Sequence, residues 1–115
     1  MDINFDKFDK YKVKYIKDLS NSKILKEYCN EVWIFGSVVK GCSQKIHTPF
    51  SDIDIAIFPK VKDLRNPETI KIHNEIRSIL NNTDEKLKYI GRDIVWVLED
   101  DDYMLDEIKK GERII

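Results

Sequence analysis

The sequence predicts an α+β domain, a small β-sheet backed by helices, and three observations carry that expectation. Strand-sized apolar runs, at residues 32–35 and 94–98, are separated by stretches whose apolar residues recur at helical spacing. The resulting order is helix, helix, strand, helix, strand, helix, strand, helix. Only four glycines and three prolines interrupt 115 residues, so long irregular segments are few.

In chain order, Phe5, Phe8, Tyr11, Tyr15 and Ile16 recur at helical spacing through a lysine-rich stretch and predict one amphipathic first helix with a core-facing stripe. Ser20-Asn21-Ser22 offers an N-cap for a second helix in which Ile24, Leu25 and Tyr28 share a face before Asn30 ends it. Val32-Trp33-Ile34-Phe35 is β-branched and aromatic and is stopped by Gly36, which reads as a buried strand. Residues 37–41 fit one or two helical turns, and residues 42–50 read as a polar loop.

Across residues 51–58 the pattern alternates, with Ile53, Ile55 and Ile57 on one face and Asp52, Asp54 and Ala56 on the other; Pro59 ends this strand. Asn66-Pro67-Glu68 supplies the N-cap, first residue and first-turn acid of a helix whose expected buried stripe is Ile72, Ile76, Ile79 and Leu80. Residues 81–84 close it. Gly91 precedes a third strand over residues 93–98, and the acidic run 99–102 caps a last helix through Tyr103, Leu105 and Ile108 that Gly111 ends.

Twenty Lys and Arg against 21 Asp and Glu leave a formal net charge of −1, so no global basic field exists for coating nucleic acid. The chain length fits one domain over residues 1–115 with its own core. The charged opening, Met1-Asp2-Ile3-Asn4-Phe5-Asp6-Lys7, does not read as a signal peptide, and no run is long enough to span a membrane. Cys29 and Cys42 do not make a disulfide framework, and with His47 and His73 they fit no compact zinc pattern. A cytoplasmic protein with free thiols is expected. His47 and His73 are expected at the surface or its boundary, and Trp33 and Trp96 in the core or an interface.

Three features suggest chemistry: Gly36-Ser37 at a strand-to-helix turn, Asp52 and Asp54 two apart on one strand, and Asp93 opening another. Each alone has an ordinary structural explanation, as a turn, a solvated edge or a strand start. Together they request a ligand. Side chains at i and i+2 leave the same sheet face with Cα atoms about 6.6 Å apart, so two carboxylates there repel unless a cation lies between them. Mg²⁺, with oxygen ligands at about 2.1 Å, suits such a pair, and two ions about 3.5–4 Å apart form a clamp for in-line displacement at phosphorus. Asp93, on one face with Val95 and Val97, supplies a third carboxylate. Gly36 lets backbone approach a ligand, a helix starting at Ser37 aims N–H groups at an anion, and Lys40 adds positive charge, a cradle suited to a triphosphate. An EF-hand reading of Asp52 and Asp54 fails because Ala56 stands at the next ligand position and the loop glycine is missing. A glycosyltransferase Asp-x-Asp reading leaves the Gly36-Ser37 turn unexplained.

These residues resemble the nucleotidyltransferase superfamily related to DNA polymerase beta, in its minimal single-domain form. The matching text is Trp33-Ile34-Phe35-Gly36-Ser37-Val38-Val39-Lys40-Gly41, Ser51-Asp52-Ile53-Asp54-Ile55-Ala56-Ile57 and Arg92-Asp93-Ile94-Val95-Trp96-Val97, with a similar close over residues 108–115. The resemblance implies a small mixed sheet, two Mg²⁺ ions and ATP or another NTP as substrate. It implies that Asp52 and Asp54 bind both metals, that Asp93 completes the catalytic metal site and helps deprotonate the acceptor hydroxyl, and that Gly36 and Ser37 hold the β and γ phosphates, with Lys40 nearby. Two features depart from the family pattern. Fourteen residues separate Ser37 from Asp52, an insertion around residues 46–50, and Lys40 stands where relatives often carry arginine, whose fork a lysine does not reproduce.

The implied activity is transfer of a nucleoside monophosphate, AMP from ATP, to a hydroxyl acceptor. Larger relatives carry an added helical domain that binds the acceptor, so here another molecule presents it. Minimal members resemble the antitoxin half of pairs whose other half is a helical HEPN-type ribonuclease toxin, silenced by modification of a tyrosine. Two rival readings are a non-catalytic binding module of the same fold and a stand-alone transferase acting on a small hydroxylated compound. Nucleic acid is a less favoured acceptor, no membrane is involved, and homo- or hetero-oligomers are open.

Overall fold

The computed structural model describes residues 3–8, 10, 12–36, 39, 52–81, 91–98 and 102–115. Local hydrogen bonding divides the first predicted helix in two. The Asn4 side chain accepts from the Asp6 N–H at 3.1 Å and caps a short 3₁₀ turn, Phe5–Lys7. Such side-chain-to-backbone bonds compete with helix propagation. Phe8 is then extended, forms an antiparallel bridge with Val39 and is buried, so helix α1 begins only at Val13 and runs Val13–Ser20. Tyr15 and Ile16 of the predicted stripe are buried on this helix, joined by Leu19, whereas Tyr11 lies outside the described residues.

Helix α2, Lys23–Tyr28, has the expected cap: Leu25 N–H donates to Ser22 Oγ at 3.3 Å. It ends at Tyr28, and Asn30 belongs to strand β1, Cys29–Phe35, which is three residues longer than its apolar run suggested. Strand β2 is Ile53–Pro59, and helix α3 is Pro67–Asn81 with Asn66 Oδ1 accepting from Glu68 N–H at 2.9 Å. Strand β3 is Arg92–Trp96, helix α4 Asp102–Lys109 and strand β4 Glu112–Arg113. Two-residue β4 carries no periodicity from which it could be read in the sequence.

The four strands form one mixed sheet in the order β3-β2-β1-β4. β1 is antiparallel to both β2 and β4, while β2 and β3 run parallel. The alternation in β2 sorts the two faces as predicted. Ile53, Ile55 and Ile57 join Val32 and Ile34 of β1 beneath Ile16, Leu19, Leu25, Ile76 and Leu80 of the first three helices. Full burial of each such side chain contributes about 1.5–3 kcal/mol, which makes this face the main stabilising layer. The other face is smaller: Phe35, Ala56 and Val97 pack with Ile108 of α4.

On α3 the fully inward positions are Thr69, His73, Ile76 and Leu80, with Ile72 and Ile79 partly buried at the flanks. His73 is therefore not a surface residue. Its ring stacks on Trp96 with centroids 4.6 Å apart, and its Nε2 lies 2.8 Å from the Val61 carbonyl oxygen. Among the described residues, no helix is long and apolar enough to cross a membrane.

Candidate active site at the sheet end

Strand direction brings the predicted acids to one end of the sheet. Because β1 is antiparallel to β2, its last residues lie beside the first residues of β2, and parallel β3 starts at that same end. The register is specific: Asp54 of β2 faces Phe35 on one side and Asp93 on the other. Residues opposed in this way leave the same sheet face, with strands about 4.8 Å apart. Asp54 and Asp93 thus stand side by side on the face that α4 covers farther along. Asp52, two residues earlier on the chain, shares the alternation. Asp54 is half-buried, whereas Asp52 and Asp93 are exposed.

Two glycines make room for the carboxylates. Gly36 follows β1 with φ +74°, a left-handed backbone that side chains disfavour, and a Cβ there would lie 2.0 Å from Asp54 Oδ2. Gly91 precedes β3, and a Cβ there would lie 2.6 Å from Asp52 Oδ1. The Asp54 carboxylate therefore lies over the β1 side and that of Asp52 over the β3 side. Carboxylates of like charge gain by standing apart. Consistent with that separation, no three His, Cys, Asp or Glu side chains among the described residues are gathered closely enough to hold a metal ion.

The donor set itself is all carboxylate oxygen, which fits a hard divalent cation such as Mg²⁺ and not a soft metal. Two of the three acids, Asp54 and Asp93, are already in register. Val39 N–H donates to the Gly36 carbonyl oxygen at 3.1 Å. Ser37 and Lys40, expected to hold phosphate, lie outside the described residues, as does the polar loop 42–50 with His47. A cavity of about 630 Å³ lined by Phe5, Lys17, Lys26 and Ile115, among others, shares no residue with this cluster.

Residues beyond the predicted set also shape the site. Gly91 was visible as a glycine before a strand, a frequent mark of close backbone approach. Arg92 was not legible as a structural partner, because its contact, Tyr15, is far away in sequence: the guanidinium carbon lies 4.8 Å from the Tyr15 ring centroid.

A mixed sheet with helices on both faces, a glycine-terminated strand and neighbouring acids at one end defines an α+β domain that presents carboxylate oxygens, ligands suited to a hard cation, at the end of its sheet. The chain belongs to the polymerase beta nucleotidyltransferase family, whose model matches residues 17–115. That match spans every element of the site and gives the chain a nucleotidyltransferase domain, with nucleotidyl transfer as its general activity. Such domains generally use an NTP and a divalent metal. No curated protein and no solved structure gives a significant match to the chain.

Proposed function

We propose that this protein transfers a nucleoside monophosphate, AMP from ATP, to a hydroxyl on a partner protein, as the minimal nucleotidyltransferase antitoxin of a HEPN-type toxin. The single observation that supports it most is the register of Asp54 against Asp93 beside Gly36, within a chain of this family. In this reading residues 1–115 are one catalytic domain in the cytoplasm, and the acceptor is brought by the partner.

Asp52 and Asp54 would hold two Mg²⁺ ions, and Asp93 would complete one of the two shells. Bound there, the ions neutralise phosphate charge and activate oxygen as Lewis acids. The chain's own residues do the rest. Gly36, lacking a side chain, lets the β and γ phosphates approach the backbone, and Ser37 and Lys40 donate to them. Asp93 accepts the proton of the acceptor hydroxyl as its oxygen bonds to the α-phosphorus, and the bond to pyrophosphate breaks. Asp93, exposed beside half-buried Asp54, suits an acceptor entering from solvent.

The test is intact mass spectrometry of a candidate HEPN-type partner co-expressed with this protein. The expected result is a partner carrying added AMP, absent with Asp54→Ala. A non-catalytic masking module of the same fold is the second reading. No added AMP with the unaltered protein, together with neutralisation of the partner by Asp54→Ala, would establish it instead.

A further inference from the structure

Leu80, in the last turn of α3, and Arg92, which opens β3 one residue before Asp93, both meet one tyrosine. Tyr15 of α1 is buried, and its hydroxyl donates to the carbonyl oxygen of Leu80 in the last turn of α3. The last carbonyls of a helix have no partner within the helix, and this bond satisfies one of them. The guanidinium of Arg92, the first residue of β3, lies over the same ring, its carbon 4.8 Å from the centroid. We propose that Tyr15 and Arg92 are positioning residues for Asp93, a clamp from α1 that holds both ends of the α3–β3 connection and thereby sets the acid in register with Asp54. This rests on the functional reading above for what Asp93 does, but the clamp itself is a claim about geometry.

Three features of the fold make such a clamp necessary. β3 is the end strand of the described sheet and has β2 as its one sheet neighbour there. A strand held on one side is more easily shifted at its ends. Arg92 and Asp93 are consecutive, so they leave opposite faces: Arg92 opposes Ile53 on the core side, and Asp93 opposes Asp54 on the site side. A displacement that unseats Arg92 therefore moves Asp93 with it. Finally, seating a guanidinium beneath the sheet is costly compared with an apolar side chain of similar volume. The aromatic face beside it offsets part of that cost only in one geometry, which is what fixing a strand end requires.

The experiment compares the full chain with Tyr15→Phe, Arg92→Met and Arg92→Lys by residue-resolved amide exchange and by Mn²⁺ titration followed by electron paramagnetic resonance. In Arg92→Met, exchange at Asp93 and Ile94 should accelerate at least about tenfold while Val32 and Ile34 stay protected. Mn²⁺ affinity should fall about tenfold, as for loss of an outer-shell partner. Arg92→Lys, which keeps a cation over the ring, should lose less of both, and Tyr15→Phe covers the case in which Arg92→Met does not fold. Unchanged exchange at Asp93, or equal acceleration at every amide, would overturn the clamp. If the unaltered chain binds no Mn²⁺, the metal-dependent reading of the site fails, and the exchange pattern alone still decides the clamp.

Discussion

Asp54 stands directly between Phe35 and Asp93 in the sheet, and one residue farther along β2, Ile55 stands between Ile34 and Ile94. The two rows leave opposite faces. An acid row with solvent access lies back to back with an apolar row in the core, so a single strand carries both the candidate chemistry and much of the stability. Substitutions in the two rows should therefore separate these properties.

Asp54→Asn keeps shape and removes charge beside Asp93. Like charges directly opposed on neighbouring strands are destabilising, so the thermal midpoint should hold or rise. Nucleotidyl transfer should fall by more than the ten- to hundredfold typical of losing an outer-shell partner. Pyrophosphate release and a thermal melt, measured on the same sample, check both directions.

Ile55→Val removes one methylene from a side chain with no exposure at the centre of the sheet. The expected cost is about 0.5–1.5 kcal/mol in urea unfolding, with transfer activity unchanged because the carboxylates lie on the other face. A loss of activity larger than the loss of folded protein would show that the two faces are not separable.

What could be read from the sequence follows this same division. The alternation Ile53, Asp54, Ile55, Ala56, Ile57 specified β2 and both its faces, because period-two burial is local information. The caps at Ser22 and Asn66 were equally legible. The break between Phe5 and Val13 was not, since the bridge from Phe8 to Val39 overrides a helical stripe through a contact 31 positions away. His73 was misplaced because its burial depends on stacking against Trp96, a residue of another element. For the site, the acids were visible as a pattern, but the parallel pairing that aligns Asp93 with Asp54 is tertiary. The opposite leanings of Asp52 and Asp54 follow from glycines on two different neighbours.

Cys29 provides a pH prediction. Burial disfavours its thiolate and pushes the thiol up to about 11, with Lys60 opposing weakly. In the unfolded chain it ionises near its ordinary value of about 8.5. Between those values the folded state holds a proton that the unfolded state has lost, so this group's contribution is complete below the lower value and is lost as pH rises through the upper one. Urea midpoints should fall more steeply above pH 9 than those of Cys29→Ala. At pH 8 the native thiol should react far more slowly with iodoacetamide than the urea-unfolded one.

The two site glycines should respond differently to alanine. At Gly36 the backbone is left-handed, which costs a side-chain residue about 1–2 kcal/mol by itself. The new Cβ would also meet Asp54 Oδ2 at 2.0 Å, against a half-buried side chain. Gly36→Ala should thus lower stability by at least that much and impair transfer. At Gly91 φ is not positive, and the atom 2.6 Å away is Oδ1 of exposed Asp52, the free end of a side chain that can turn aside. Gly91→Ala should therefore leave the urea midpoint nearly unchanged while moving the Asp52 carboxylate off the β3 side. Mn²⁺ titration of both variants reads the consequence for the acids. A Gly91→Ala protein as destabilised as Gly36→Ala would mean that Asp52 is held against Gly91 by more than the open surface around it.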